Sequence, residues 1–310
     1  MTVYAIMPVH DRLALTRQAV QALQSQRNVD LRIVIVDDGS TDDTATFLAG
    51  EAGITTLKGD GSLWWGGAMD LGLRHIHPLL RPGDYFLFVN NDTTFNPDFV
   101  ASLVTVSEEH GRAAVGSIVR DAVNPRKILT IGARADFDNF RIWDISSEFD
   151  VDRLNDITDQ SSLTLDVDLL PGRGTLFPGE VLDKSGYMRP WLLPHYRADY
   201  EFSDRARRSG CKLRVATAAA LLSHDTFGTE KRAPGFWQRN LGKGSPDNRL
   251  HTYIFFALVG TWSQRLTAVP RLIAFQSGPV IRHWFTIAMR HINRAGRGLR
   301  RISRLGKRSG

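Results

Sequence analysis

Short apolar runs, each closed by an acidic, amide or proline-containing cluster, alternate in the first half of the chain with segments whose apolar positions recur at helical spacing. Val3-Tyr4-Ala5-Ile6-Met7, Leu31 to Val36, Ile54 to Leu57 and Tyr85 to Val89 read as buried strands, because continuous β-branched and aromatic runs of this length suit a sheet covered on both faces. Leu13, Val20 and Leu23 mark a helix between the first two, with Asp11 placed to cap it. Ser40 and Asp43 have the spacing of a capping box opening a helix through Leu48. Further helices are expected over 68–76 and 97–109, with an extended stretch at 113–119.

The segment 121–162 is polar and reads as an insertion or an edge hairpin. Order returns at Leu165 to Leu170 and Pro171-Gly172-Arg173-Gly174-Thr175, then a short helix over 179–185. A helix over 200–208 is stopped by Gly210, and two strands are expected at 213–216 and 219–222. This strand–helix alternation predicts an α/β fold, a mostly parallel sheet with helices on both faces. Ligands of such sheets bind at the carboxyl ends of the strands, where Asp37-Asp38 and Asn90-Asn91-Asp92 fall.

Composition narrows the class. The chain has 310 residues, 42% hydrophobic and 23% charged, as in ordinary globular proteins. Its lone cysteine, Cys211, forms no intrachain disulfide and reads as a small buried thiol. No run approaches the roughly 20 apolar residues of a membrane span, and the amino terminus enters a strand directly, so a cytoplasmic protein is expected. Charge is divided: Asp247 is the last acid, and 12 basic residues follow it, so a net +6 chain has an acidic body and a basic end. That end raises a nucleic-acid-binding alternative, which the acidic body opposes.

Taken singly, the polar clusters leave structural readings open. Asp37-Asp38 serves a turn and cap, or meets a base and ribose at the sheet edge. Asp92 caps a turn, or joins oxygen ligands around Mg²⁺ or Mn²⁺ at a diphosphate. Asp199 opens a helix whose dipole favours its ionised form, as a cap or as a general base. His224 ends a strand, structurally or as a metal ligand. Trp64-Trp65 between glycines suits a ligand pocket better than a core.

In order and together, these motifs resemble glycosyltransferase family 2, the inverting enzymes of GT-A fold, from about Val3 to His224. Ile6-Met7-Pro8-Val9-His10-Asp11-Arg12 resembles the family's first strand and loop, and Val36-Asp37-Asp38-Gly39-Ser40-Thr41-Asp42 its strongest signature. Gly59 to Gly72 resembles the donor-side segment of members that build bacterial surface polysaccharides. The resemblance implies nucleotide-sugar contacts by Pro8, His10, Arg12, Asp37, Asp38, Gly61, Trp64, Trp65, Gly67, Asp70, Asn90 and Asn91. Asn90-Asn91-Asp92 stands where the family has Asp-x-Asp, so Asp92, with His224, is the implied ligand pair for Mg²⁺ or Mn²⁺. Gly172-Arg173-Gly174 and Ala198-Asp199-Tyr200-Glu201 match the acceptor half, with Asp199 as the implied catalytic base. Arg173, Gly174, His195 and Glu201 are the acceptor-side candidates. Ala198 departs from the family's usual Glu.

The implied organisation is a GT-A catalytic domain over 1–240, with a nucleotide-sugar half to about 120 and an acceptor half over 121–240. A basic amphipathic helical tail follows over 241–310. The apolar patches Tyr253 to Val259 and Trp284 to Met289, set between arginines, suggest docking on an anionic membrane, peripheral on its inner face. The alternative is a helical pair packed on the catalytic domain. The implied donor is dTDP-rhamnose or a UDP-sugar, the acceptor a glycan or a polyprenyl-diphosphate-linked sugar. The rival classes are a non-catalytic nucleotide-sugar-binding relative and another nucleotide-dependent enzyme, the latter opposed by the lack of dinucleotide and Walker-type glycine loops in the first strand–helix turn.

Overall fold

In chain order the strands are β1 (Thr2–Val9), β2 (Asp30–Asp37), β3 (Ile54–Lys58), β4 (Tyr85–Phe88), β5 (Thr93–Phe95), β6 (Ala114–Asp121), β7 (Ile128–Thr130), β8 (Ala133–Asp136), β9 (Arg141–Asp144), β10 (Thr164–Asp166), β11 (Thr175–Pro178) and β12 (Leu213–Ser223). The helices are α1 (Leu13–Gln24), α2 (Thr44–Gly50), α3 (Trp64–Ile76), α4 (Phe99–Glu109), α5 (Val181–Ser185), α6 (Ala198–Arg208), α7 (Phe236–Leu241) and α8 (Arg249–Leu258). The computed structural model describes residues 1–149, 163–224 and 235–261, with Asn155, Gln264, Leu272 and Gly278.

One sheet of ten strands carries the fold. Its main path runs β10-β12-β6-β11-β4-β1-β2-β3. The β4-β1-β2-β3 block and the β12–β6 pair are parallel, and β11 joins them antiparallel to both neighbours. The register brings Val9 level with Asp37, and Asp37 level with Lys58. Because β11 runs the other way, its leading residues, Arg173 and Gly174, arrive at the same edge where β1, β2 and β4 end.

Both faces are covered, as the apolar runs require. Along β1, Val3, Ala5 and Met7 join Val20, Leu23, Phe99 and Leu103 on one side, while Ile6 joins Met69, Leu73 and Phe202 on the other. The period of two in a strand sorts these side chains to opposite layers. A third cluster joins Phe255, Phe256 and Val259 to Ala133, Leu169, Leu193 and Ala198. The apolar run at 253–259 therefore packs on protein. The second run, Trp284 to Met289, and the arginine-rich end lie outside the described residues. No helix among the described residues is long and apolar enough to cross a membrane.

Several local expectations are corrected. Asp11 does not cap α1: its Oδ1 accepts from the Thr41 N–H at 2.6 Å, and Asp42 Oδ2 instead takes the Leu13 N–H at 3.1 Å. Ser40 and Asp43 form no capping box, since Ser40 Oγ accepts from the Asp11 N–H at 2.8 Å and Asp43 makes no side-chain cap bond. The first two βα loops are thus tied to each other rather than to their own helices. Helix α3 begins four residues before the expected start at Ala68, at Trp64. The two strands expected at 213–222 are one strand, β12, with a register shift between Ala216 and Ala220 that turns its end toward β5. The polar segment after β6 contains the β8–β9 hairpin.

Helix α6 is held by a buried ion pair. Glu201, 1% exposed, accepts from Arg205 Nε at 2.8 Å and Arg189 Nη1 at 3.3 Å. Arg205 also donates to the carbonyls of Ser185 and Tyr187, clamping the loop after α5. Breaking a buried pair leaves one charge uncompensated, at a cost of about 3–5 kcal/mol. Glu201→Ala is therefore expected to lower stability by that amount in urea unfolding; an unchanged midpoint contradicts the lock.

Candidate functional site

The open edge of the sheet collects its chemistry from five loops. After β1, His10 Nδ1 lies 2.6 Å from the Asp38 carbonyl oxygen. Asp11 and Arg12 both take left-handed backbone (φ 56° and 65°), which turns the chain sharply into α1. Pro8 sits inside β1 opposite Val36. After β2, Asp37 Oδ1 accepts from the Ser40 N–H at 3.0 Å.

Asp38 is committed on both oxygens. Oδ1 accepts from the Gly61 N–H at 2.8 Å and Oδ2 from the Trp64 N–H at 3.1 Å. The turn it holds is tight: a Cβ on Gly39 would lie 2.9 Å from Gly61 Cα, and both glycines have positive φ. Asp38 therefore shapes the turn from β3 to α3. Each carboxylate oxygen keeps a second lone pair for a ligand.

That turn delivers the two tryptophans to different places. Trp64, 42% exposed, lies 5.7 Å from the His195 ring and packs over Gly244. Trp65 points inward, where Nε1 donates to Asn90 Oδ1 at 2.9 Å. Its indole lies against Gly172 so closely that a Cβ there would sit 2.2 Å from a ring carbon. Gly172 in turn donates its N–H to Asp199 Oδ2 at 2.9 Å. Asn90, Trp65, Gly172 and Asp199 thus form one contact chain across the cleft.

Asp92 and His224 meet at the far corner. The His224 N–H donates to the Asp92 carbonyl at 3.0 Å, extending the pairing of β5 with β12. Asp92 is buried, and its Oδ1 has no hydrogen-bond partner. A buried anionic oxygen left unpartnered is costly, and a hard cation satisfies it. The Asp92 carboxylate fits one ligand position of a divalent ion; no group of three His, Cys, Asp or Glu side chains converges among the described residues. Arg173 links this corner to Asp199: its Nη1 donates to Ser223 Oγ at 3.1 Å, and its charge acts on the Asp199 carboxylate.

Burial pushes Asp199 above the ordinary carboxylate range, against the Gly172 and Tyr200 N–H groups and Arg173, which favour the anion. His195 moves the other way. Burial, then the neighbouring His251, depress it to about 4, so the imidazole is neutral at pH 7 and a weak base. Burial thus strengthens Asp199 as a proton acceptor and weakens His195.

Other expected site residues sit apart. Asn91 Nδ2 donates to Thr16 Oγ1 in the core at 3.1 Å. Asp70 pairs with Arg74 Nε at 2.7 Å along α3, and its Oδ1 is buried without a partner. Gly67 lets α3 approach Pro190, and the Gly174 N–H bonds the Phe88 carbonyl at 2.8 Å. Glu201 belongs to the lock within α6. Sequence reasoning missed Arg197 and the segment 242–248 that closes over it; the positive φ of Arg197 (68°) leaves no mark in the residue pattern.

Residues 4–152 match the model of Glycosyl transferase family 2. Over those residues, just under half of its length, the chain is similar to the family 2 glycosyltransferases. No curated protein sequence matches it significantly. Among solved structures, GalNAc-T7 with UDP, GalNAc and Mn²⁺ superposes with a TM-score of 0.56 at 14% identity, covering 72% of this chain and 43% of that one. TarS from S. aureus superposes at 0.50 and 17% identity, covering 71% and 59%. At such identities the likeness is one of fold, the GT-A arrangement. The chain spans about two-fifths to three-fifths of the length of those proteins.

The corner gives a direct test. Mn²⁺, alone and with UDP, is expected to raise the melting temperature of the wild-type chain. Asp92→Asn, which removes the unpartnered anionic oxygen, melts no lower without metal and loses most of that rise. An equal response to Mn²⁺ in both proteins contradicts the fit.

Proposed function

We propose that the chain is an inverting glycosyltransferase, moving a sugar from a nucleoside diphosphate donor onto a hydroxyl of a glycan or lipid-linked acceptor. The observation that carries this reading is the line from Asn90 through Trp65 and Gly172 to Asp199. In this reading Asp199, a carboxylate of raised pKa, is the base across the cleft from the strand-end loops. Two structures of like fold support it: GalNAc-T7, crystallised with UDP, GalNAc and Mn²⁺, and TarS.

In this reading the nucleoside lies over the turn held by Asp38, with Asp37 and His10 beside it. A divalent cation, when bound, neutralises charge growing on the departing diphosphate. Asp92 and His224 would hold it, and Arg173 adds positive charge from the acceptor side. Asp199 takes the proton of the acceptor hydroxyl while that oxygen forms its bond to the anomeric carbon. The bond from that carbon to the diphosphate breaks in the same displacement, and its electron pair leaves with the nucleoside diphosphate. Neutral His195, its ring tilted against that of Trp64, offers the acceptor a wall rather than a base.

The Trp64-Trp65 segment supports a dTDP-deoxysugar such as rhamnose first and a UDP-sugar next. The basic end beyond Asp247 supports a place at the inner face of an anionic membrane, beside a polyprenyl-diphosphate-linked acceptor, within surface polysaccharide synthesis. A nucleic-acid partner is not part of this reading.

UDP or dTDP, tested beside GDP and NADH, is expected to stabilise the chain, by about 2.7 kcal/mol at a hundred times Kd. Mn²⁺ should enlarge the effect, and a response to NADH alone would contradict the reading. With a donor identified, Asp199→Asn should lose roughly 10²–10⁴ in rate while donor affinity holds. The wild-type rate should fall with acid at a pH above the usual carboxylate range, because the protonated Asp199 accepts no proton. Full turnover by Asp199→Asn would remove Asp199 from the base role.

A further inference from the structure

Helix α6 opens on an unusual residue. Arg197 takes left-handed backbone (φ 68°, ψ 0°) immediately before Ala198 and Asp199. A side chain that is not glycine is strained in such a conformation and adopts it only where its surroundings impose it. Here they do. The Glu201 N–H bonds the Arg197 carbonyl at 2.9 Å, and Arg197 Nη1 donates to the Pro246 carbonyl at 3.3 Å.

Pro246 belongs to a short strap, 242–248, between α7 and α8. Three contacts fix the strap. Gly244 lies under Trp64, where a Cβ would meet the ring at 2.8 Å. Asn248 Nδ2 donates to the Gly242 carbonyl at 2.9 Å, closing the strap on itself, and Asn248 Oδ1 caps α8 by accepting the His251 N–H at 2.9 Å. Phe255 and Phe256 of α8 then pack in the same apolar cluster as Ala198. The strap therefore touches both walls of the cleft, Trp64 on the donor side and Arg197 on the acceptor side. It lies beyond residue 152, where the family match ends.

The charges around this point are mixed. Asp199 faces Arg173, Arg197 and Tyr200; Arg197 faces Asp199, Asp247 and Tyr200; and His251 faces Arg197, Lys243 and His195. The Nδ1 atoms of His195 and His251 are buried without hydrogen-bond partners. Arg173, just before β11, and Arg197, just before α6, both act on the Asp199 carboxylate.

We infer that Arg197 is a positioning residue for Asp199, held in place by the strap 242–248, so that a segment outside the matched family region completes the acceptor side of the site. The inference rests on Asp199 as general base. Where the family's usual Glu precedes the catalytic Asp, this chain has Ala198, which is buried in the third core. Arg197, two residues before Asp199, interacts with its carboxylate electrostatically and is tied to the strap at the Pro246 carbonyl. Its positive charge favours the anion that the burial of Asp199 opposes.

The test reads the titration of Asp199 without substrate. For each protein, the melting temperature is measured across pH beside that of its Asp199→Asn counterpart, and the difference follows the ionisation of Asp199. Because the folded pKa is raised, the wild-type chain loses stability relative to its counterpart as pH rises through that window. Arg197→Gln should move the midpoint of this change up by about half a pH unit or more, since an opposite charge has been removed. Arg197→Lys should restore most of it. Gly244→Val, which lifts the strap off Trp64, should shift the midpoint in the same direction as Arg197→Gln and stands in for it if that variant does not fold. A midpoint unmoved in Arg197→Gln, or in Gly244→Val where it stands in, would overturn the inference. Should the chain transfer no sugar from any donor, the titration still reads the effect of Arg197, so the two readings fail separately.

Discussion

Trp65 against the backbone of Gly172 is the contact on which the cleft depends. The indole comes from the turn after β3, and Gly172 leads into β11. Only a residue without a side chain admits the ring at that distance. The same glycine gives its N–H to Asp199, and the same indole gives its N–H to Asn90. Two layers of the fold that meet the sheet from different directions are thereby set at a fixed spacing. A catalytic geometry that must hold reacting atoms within about 3–3.5 Å needs such a contact more than it needs any one ligand.

Electrostatics follows from that packing. Closing the cleft with an indole, a glycine and the apolar third core takes Asp199 out of water and raises its pKa, while the same burial lowers His195. One environment therefore produces a stronger base and a weaker one a few residues apart. Arginines 173 and 197 temper the first effect. The Asp92 corner differs, because its oxygen is buried with no N–H or cation among the described residues to meet it.

Much of this was legible in the residue pattern. The runs Val3 to Met7, Leu31 to Val36 and Tyr85 to Val89 could only be buried strands, and the order of strands and helices placed Asp37, Asp38 and Asn90 to Asp92 at one edge. The pattern carried less where a residue's role depends on distant backbone. Asp11 and Asp42 exchange the capping duties that local spacing assigns, because the first two βα loops lie side by side. Glu201 is read next to Asp199, yet the helical turn carries it into a buried pair with Arg205. Ala216 to Ala220 breaks the apolar run and looks like a gap between strands, where the chain makes a bulge. Arg197 and the strap were invisible, since a left-handed arginine and a contact 49 residues away leave no periodic trace.

A polar groove at the opposite end of the sheet, lined by Tyr4, Asp30, Arg32, Thr55, His75 and Arg81, is the competing location for a charged ligand. Hydrogen exchange of the full chain, with and without UDP or dTDP in the presence of Mn²⁺, separates the two ends directly. The account expects slowed exchange in the loops 37–41, 59–64 and 90–92, with the strand starts near Thr2 and Asp30 unchanged. Protection at the opposite groove, with those three loops unaffected, would contradict it.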